Sequence, residues 1–241
     1  LVLHWVSLNW RVACITTWQL LLKPRLLAIK FKSYFWIFEN HMLQIDLLRH
    51  GKTELSHTLR GSTDDALTPE GWQQMQQTLM QSLAKQIQWD VIFSSPLQRC
   101  YSFAVHTAKA LNLELILTPL MQEMHFGDWE AISTQHLYET VPEALEQFWL
   151  KPSTFTPPNA ESLLAFEQRV INGLDHIQNM MAQKGYQRAL VITHGGVIKL
   201  LKCKALKQPL DDLLKMSAEL GQLNHFAFST TDQIQLLEQQ Q

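Results

Sequence analysis

Three short polar clusters could do chemistry on an anion: Arg49-His50-Gly51, the run Ser94 to Arg99, and His194-Gly195-Gly196. Each follows a run that reads as a β-strand, which is where open α/β sheets bind their ligands. Each also lies at or near the start of a predicted helix, where unpaired backbone N–H groups and the helix dipole favour an anion such as phosphate. Guanidinium forks match phosphate oxygens two at a time. Residue types and places together predict phosphate chemistry.

The elements that must position these clusters alternate between strand and helix from Met42 onward, with no internal repeat or second linker, and this pattern predicts an α/β fold. Leu43 to Leu48, Val91 to Phe93, Leu113 to Leu117 and Ala189 to Ile192 read as buried strands, and His225 to Ser229 and Ile234 to Leu237 as closing strands. Pro69 to Gln86 reads as a helix with Thr68 as N-cap and Pro69 in the first helical position. Further helices are predicted from Ser95-Pro96 to about Ala110, around Pro142 to Leu150, from about Glu161 to Gln183 after the Pro-rich stretch 152–158, and after Gly196. Met121 to Glu130 reads as a loop.

Residues 1–41 differ in character from the rest of the chain. They hold four of the eight tryptophans, Trp5, Trp10, Trp18 and Trp36, with five basic residues and one acidic one, Glu39. The uncharged stretch Val12 to Leu22 is much shorter than the roughly 20 apolar residues of a membrane span, and no small-residue cleavage site comes after it. We read residues 1–41 as an extension, non-native or from a mis-assigned start, and 42–241 as the working domain. A Trp-rich interfacial membrane anchor is the alternative for the extension.

Composition constrains partners. A formal charge of −2 and a pI near 6.6 give no general attraction to nucleic acid or to an anionic membrane. Cys14, Cys100 and Cys203 are odd in number and widely spaced, against a disulfide framework or a zinc site and in favour of a reducing, cytoplasmic home.

Leu48-Arg-His-Gly-Lys-Thr-Glu54 resembles the RHG signature of the histidine phosphatase (phosphoglycerate-mutase-like) superfamily. Phe93-Ser-Ser-Pro-Leu-Gln-Arg-Cys100 is similar to the family's second arginine motif. Glu123-Met-His-Phe-Gly-Asp-Trp-Glu130 is similar to its acid loop, and Thr193-His-Gly-Gly196 to its second histidine. The likeness extends from Met42 to about Ser229 and implies a three-layer α/β/α fold with a mostly parallel central sheet. It implies a catalytic set of His50, Glu123, His194, Arg49 and Arg99, with Arg49, Arg99, His194, Gly195, Ser56 and Arg60 around the substrate phosphate. His50 is then the nucleophile, since a neutral imidazole nitrogen can take the phosphoryl group and divide hydrolysis into two easier steps. Arg49 and Arg99 keep it unprotonated and bind phosphate oxygens. His194 and the Gly195 amide add donors, and Glu123 is the general acid and then the base. Asp128, Trp129 and Glu130 read as packing residues of the loop. The resemblance implies no metal and no organic cofactor, and a metal held by His50, His194 and Glu123 would be repelled by the adjacent arginines.

Within the superfamily the motifs look most like α-ribazole phosphatases, which act in assembly of the cobalamin lower ligand. A broad-specificity phosphatase and a phosphoglycerate-mutase-type enzyme are the alternatives, then a silent phospholigand-binding module, which would need neither His50 nor Glu123. The expected partner is a small phosphate monoester, with no nucleic acid and no membrane. Ser56 stands where many relatives have Asn, and Asn159-Ala160 where Gly-Gly is frequent, both near the region that would set specificity. Oligomeric state is not legible.

Overall fold

The computed structural model describes residues 42–228 and 234–237. The reading of 1–41 as an extension, the thiol of Cys14 and the predicted strand residue Ser229 lie outside the described residues.

Six strands form one mixed sheet: β1 (Leu43–Arg49), β2 (Val91–Ser94), β3 (Glu114–Leu117), β4 (Arg188–Thr193), β5 (Leu223–Phe228) and β6 (Ile234–Leu237). Their spatial order is β3-β2-β4-β1-β5-β6. The first four of that order are mutually parallel, and β5 and β6 add an antiparallel edge. The helices are α1 (Pro69–Ala84), α2 (Gln98–Leu111), α3 (Thr134–Thr140), α4 (Pro142–Leu150), α5 (Leu163–Lys184) and α6 (Gly195–Ala205).

The buried strands sort their side chains by the two-residue period of a pleated sheet. Ile45, Leu47, Val91, Phe93, Ala189 and Val191 face one core with apolar residues of α3, α4, α5 and α6. Leu48, Ile92, Leu190 and Ile192 face the other, with Met75 and Leu79 of α1 and Phe103 and Ala104 of α2. These are the three layers expected. Among the described residues no helix is long and apolar enough to cross a membrane.

Local chemistry sets the ends of the helices. Thr68 caps α1 by accepting from the Gly71 amide at 3.0 Å, and Ser162 caps α5 by accepting from Ala165 at 3.2 Å. Gly185 ends α5 in the left-handed region, at φ 73°, which costs glycine nothing. Two readings are corrected. The helix expected from Ser95-Pro96 starts at Gln98, because Leu97 carries no capping group and the Asp64 carboxylate caps the Gln98 amide from outside at 2.6 Å. α3 is an additional helix that the sequence pattern did not predict, although Ser133 caps it by accepting from His136 at 3.1 Å.

On the second core's side of β1 lies a buried carboxylate, Asp46. It accepts from Trp89 Nε1 at 2.7 Å and Arg188 Nε at 2.7 Å, and His225 Nδ1 stands 2.7 Å from it. Burial alone would raise its pKa, but the hydrogen bonds and charges of His225 and Arg188 hold it below the ordinary 3.8. Asp46 therefore adds stability that is full above the unfolded carboxylate pKa and fades as pH falls through the lower folded value. Asp46→Asn is expected to cost about 3 kcal/mol in urea denaturation at neutral pH, by leaving Arg188 under-partnered. The gap from wild type should shrink as the pH is taken below the carboxylate range, whereas a constant gap would show that the charge is not responsible.

Candidate active site

β1, β2 and β4 run parallel, so their C-terminal ends share one edge of the sheet, and the three polar clusters meet there. Register is fixed by main-chain bonds past the strand ends: the His50 amide donates to Thr193 O and the Ser95 amide to Ile192 O, each at 3.0 Å. The loop after β1 packs onto the first turn of α1 so closely that a Cβ on Gly51 would collide with the Gly71 carbonyl. The glycine of the Arg-His-Gly cluster is thus a requirement of packing.

His50 is buried, and its Nδ1 lies 2.8 Å from Gly51 O. A carbonyl only accepts, so this bond puts the ring proton on Nδ1 and leaves the Nε2 lone pair free. Its pKa is well below 6.5, chiefly through burial and then through the charge of Arg99, with Arg49 and Arg60 adding to it. His50 also lines a cavity of about 220 Å³ together with Arg49, Arg60, Glu123, Gly195, Gly196 and Lys199. Arg49 donates through Nη1 to Ala218 O, and Arg60 through Nη1 to Asp65 at 2.9 Å. The Nε of each is buried without a hydrogen-bond partner among the described residues. Unmet guanidinium donors at a cavity wall are suited to an incoming oxyanion.

Glu123 accepts from the Gly196 amide at 2.9 Å and from the Met124 amide at 3.1 Å. Its carboxylate therefore rests on the N-terminus of α6, facing the same cavity as His50. The backbone beneath it is clamped by Arg169 of α5, whose guanidinium donates to the carbonyls of Leu120, Gln122 and Glu123 while pairing two-pronged with Glu161.

Arg99 and His194 are fully buried behind the cavity. Arg99 donates to Gly61 O at 2.8 Å, to Thr63 O at 2.7 Å, to Asp65 at 3.4 Å and, through Nε, to His194 Nδ1 at 3.3 Å. With Nδ1 accepting, His194 Nε2 carries the proton and donates to Ser95 Oγ at 2.7 Å. Burial, then Arg99, holds the His194 pKa well below 6.5. Glu130 gathers the amides of Gly61, Ser62, Thr63 and Phe126, which makes it an anchor for the loop.

Of the residues singled out in the sequence, Arg49, His50, Arg60, Glu123 and Gly195 line the cavity, and Arg99 and His194 support it from behind. Ser56 is not brought there: its hydroxyl accepts from the Thr53 amide at 2.8 Å and shapes the turn. Sequence reasoning missed three contributors. Lys199, four residues after Gly195, sits one turn into α6 on the face that begins with that glycine. Asp65 joins Arg60 to Arg99, and Arg169 clamps the acid loop. Spacing from Gly195 was a usable signal for Lys199; nothing local marked the other two. Among the described residues no group of three His, Cys, Asp or Glu side chains is arranged to hold a metal ion. Cys100 and Cys203 are buried free thiols.

The family model of the histidine phosphatase superfamily (branch 1) matches residues 45–239. The bifunctional protein Rv2228c of Mycobacterium tuberculosis is 36% identical over 182 residues, covering 74% of this chain and 48% of that protein, so the chain spans about half the length of this relative. The adenosylcobalamin/alpha-ribazole phosphatase of Escherichia coli is 27% identical over 185 residues, 74% of this chain and 87% of that protein. In fold, the chain is similar to Bacillus stearothermophilus YhfR, with a TM-score of 0.71 and 22% identity over 81% of this chain and 96% of that one. It is likewise similar to the alpha-ribazole phosphatase of Shigella flexneri, with a TM-score of 0.67 and 24% identity over 81% and 95%. The match across most of the chain, together with the clusters assembled at the strand ends, places this protein in the histidine phosphatase superfamily.

Proposed function

We propose that residues 42–241 form a phosphatase domain that hydrolyses small phosphate monoesters through a phosphohistidine at His50. The observation that carries this reading is the Nδ1 contact to Gly51 O, which leaves Nε2 free beside two arginines with unmet donors. Nε2 attacks phosphorus, the P–N bond forms, the ester P–O bond breaks, and Glu123 gives its proton to the departing oxygen. Water then attacks phosphorus, the P–N bond breaks, and the water's proton returns to Glu123 as inorganic phosphate leaves. Arg49, Arg60 and the Gly195 amide hold the phosphoryl oxygens. Arg99 and His194 support these groups from behind the cavity, burial and the charge of Arg99 keep His50 neutral, and no metal or organic cofactor is required.

α-Ribazole 5′-phosphate is the substrate we favour, and with it a cytoplasmic role in making the cobalamin lower ligand. The support is the 27% identity to an enzyme named for that substrate and the apolar wall of the cavity, where Phe126, Phe148, Leu163 and Phe166 would suit a flat heterocycle. The second reading, a phosphatase of broad specificity, draws on the same wall, which has few polar groups to discriminate among leaving groups.

Phosphate release from α-ribazole 5′-phosphate, p-nitrophenyl phosphate, 3-phosphoglycerate and a phosphosugar, with chelator present, tests the proposal. Turnover is expected to survive chelator and to fall by at least about a thousandfold in His50→Ala. Activity that persists in that variant would overturn the mechanism, and a strong preference within the panel would decide between the two substrate readings. Gly196→Ala tests Glu123 separately, because the added Cβ would collide with Glu123 Oε1 and the carboxylate must move. We expect kcat/KM for p-nitrophenyl phosphate to fall by about tenfold to a hundredfold with the thermal midpoint little changed. An unchanged kcat/KM would mean that the position of Glu123 is not critical.

A further inference from the structure

Lys199 lines the cavity beside Arg49, yet its ammonium makes no hydrogen bond or ion pair among the described residues. Other lysines do: Lys52, Lys184, Lys204 and Lys215 each pair with a carboxylate, and Lys202 donates to Ser217 O. Burial, and then the charge of Arg49, lowers the Lys199 pKa, opposed by Glu123 and Glu219. A partly desolvated cation that the protein leaves unpartnered loses hydration without return unless a ligand supplies an acceptor. The Glu123 carboxylate on the same wall already accepts from the Gly196 and Met124 amides, and Phe126, Phe148, Trp149 and Leu213 present mainly apolar surface.

We propose that Lys199 is a specificity-determining residue: it takes an acceptor group, an anionic one most strongly, on a flat apolar leaving group whose phosphoryl end lies on Arg49 and Arg60. The proposal rests on the phosphatase reading and deepens it. One end of the cavity binds the group that every substrate shares, the apolar wall takes the ring or chain, and Lys199 reads a second polar group on it. A phosphomonoester with an acceptor on an aromatic body meets all three features. A short, purely polar phosphoester meets only the first and last, and a plain aryl phosphate only the first two.

Binding of non-hydrolysable ligands tests this without needing turnover. Benzylphosphonate and para-carboxybenzylphosphonate are titrated calorimetrically into the full chain, as wild type, Lys199→Met and Lys199→Arg. Wild type is expected to bind the carboxylated ligand about tenfold more tightly, the worth of one charge-assisted hydrogen bond. Lys199→Met should lose that preference while keeping its affinity for benzylphosphonate, and Lys199→Arg should retain it. Equal binding of the two ligands by wild type would overturn the proposal, and this comparison stands even if a variant fails to fold. Equal weakening of both by Lys199→Met would also overturn it, by placing Lys199 on the phosphonate. If neither ligand binds, the phosphate-site reading falls and this inference with it; if both bind alike, the inference alone falls.

Discussion

A guanidinium completely enclosed by protein must find an acceptor for nearly every N–H it carries, because an unpaired buried donor on a charged group costs several kcal/mol. Arg99 meets that demand by bending the segment 61–65 around itself: Gly61 and Thr63 turn their carbonyls inward, and Asp65 adds a carboxylate. The same segment turns its amides outward onto Glu130. One arginine and two carboxylates thus define a loop with no regular secondary structure. Arg60 is held at the cavity through Asp65, and His194 has its tautomer chosen by Arg99 Nε. His50 is held neutral by burial together with the charge of Arg99. Disturbing this buried charge would be felt at His50 and Arg60, which face the cavity.

The sheet supplies the other constraint. Three parallel strands that end side by side deliver Arg49-His50, Ser94-Ser95 and Thr193-His194 to one edge although the sequence scatters them over well over a hundred residues. Each strand is buried on both faces, so its register cannot slip without turning apolar residues into the wrong core. The acid loop is fixed differently, by Arg169 reaching from α5 to three carbonyls at and just before Glu123. The cavity groups on loops are in this way held by rigid elements that lie behind them.

Most of this architecture is legible in the sequence because the core strands are short, largely apolar runs separated by helical segments and the start of α1 carries its own capping group, Thr68. The start of α2 is misread because its cap, Asp64, lies far from it in sequence, and local patterning cannot report a cap borrowed from another segment. Motif and position together point to the cavity residues Arg49, His50, Glu123 and Gly195. They give no hint that Arg99 spends its donors on carbonyls or that Ser56 serves a turn, since both outcomes depend on which loop folds over which strand end. Asp65 and Arg169 are invisible for the same reason, because their importance lies in partners gained only in three dimensions; the spacing of Lys199 from Gly195 is readable, but that its ammonium is left unmet is not.

The central claim is that phosphorus is attacked first by His50 and only afterwards by water, and stereochemistry at phosphorus tests it most directly. A phosphorothioate monoester whose two non-bridging oxygens are different isotopes is hydrolysed in water carrying the third oxygen isotope, and the configuration of the released inorganic thiophosphate is determined. Two successive in-line displacements, one forming and one breaking the P–N bond, predict overall retention. Inversion would mean a single displacement by water, and would contradict a phosphohistidine in the path however well His50 is placed to form one.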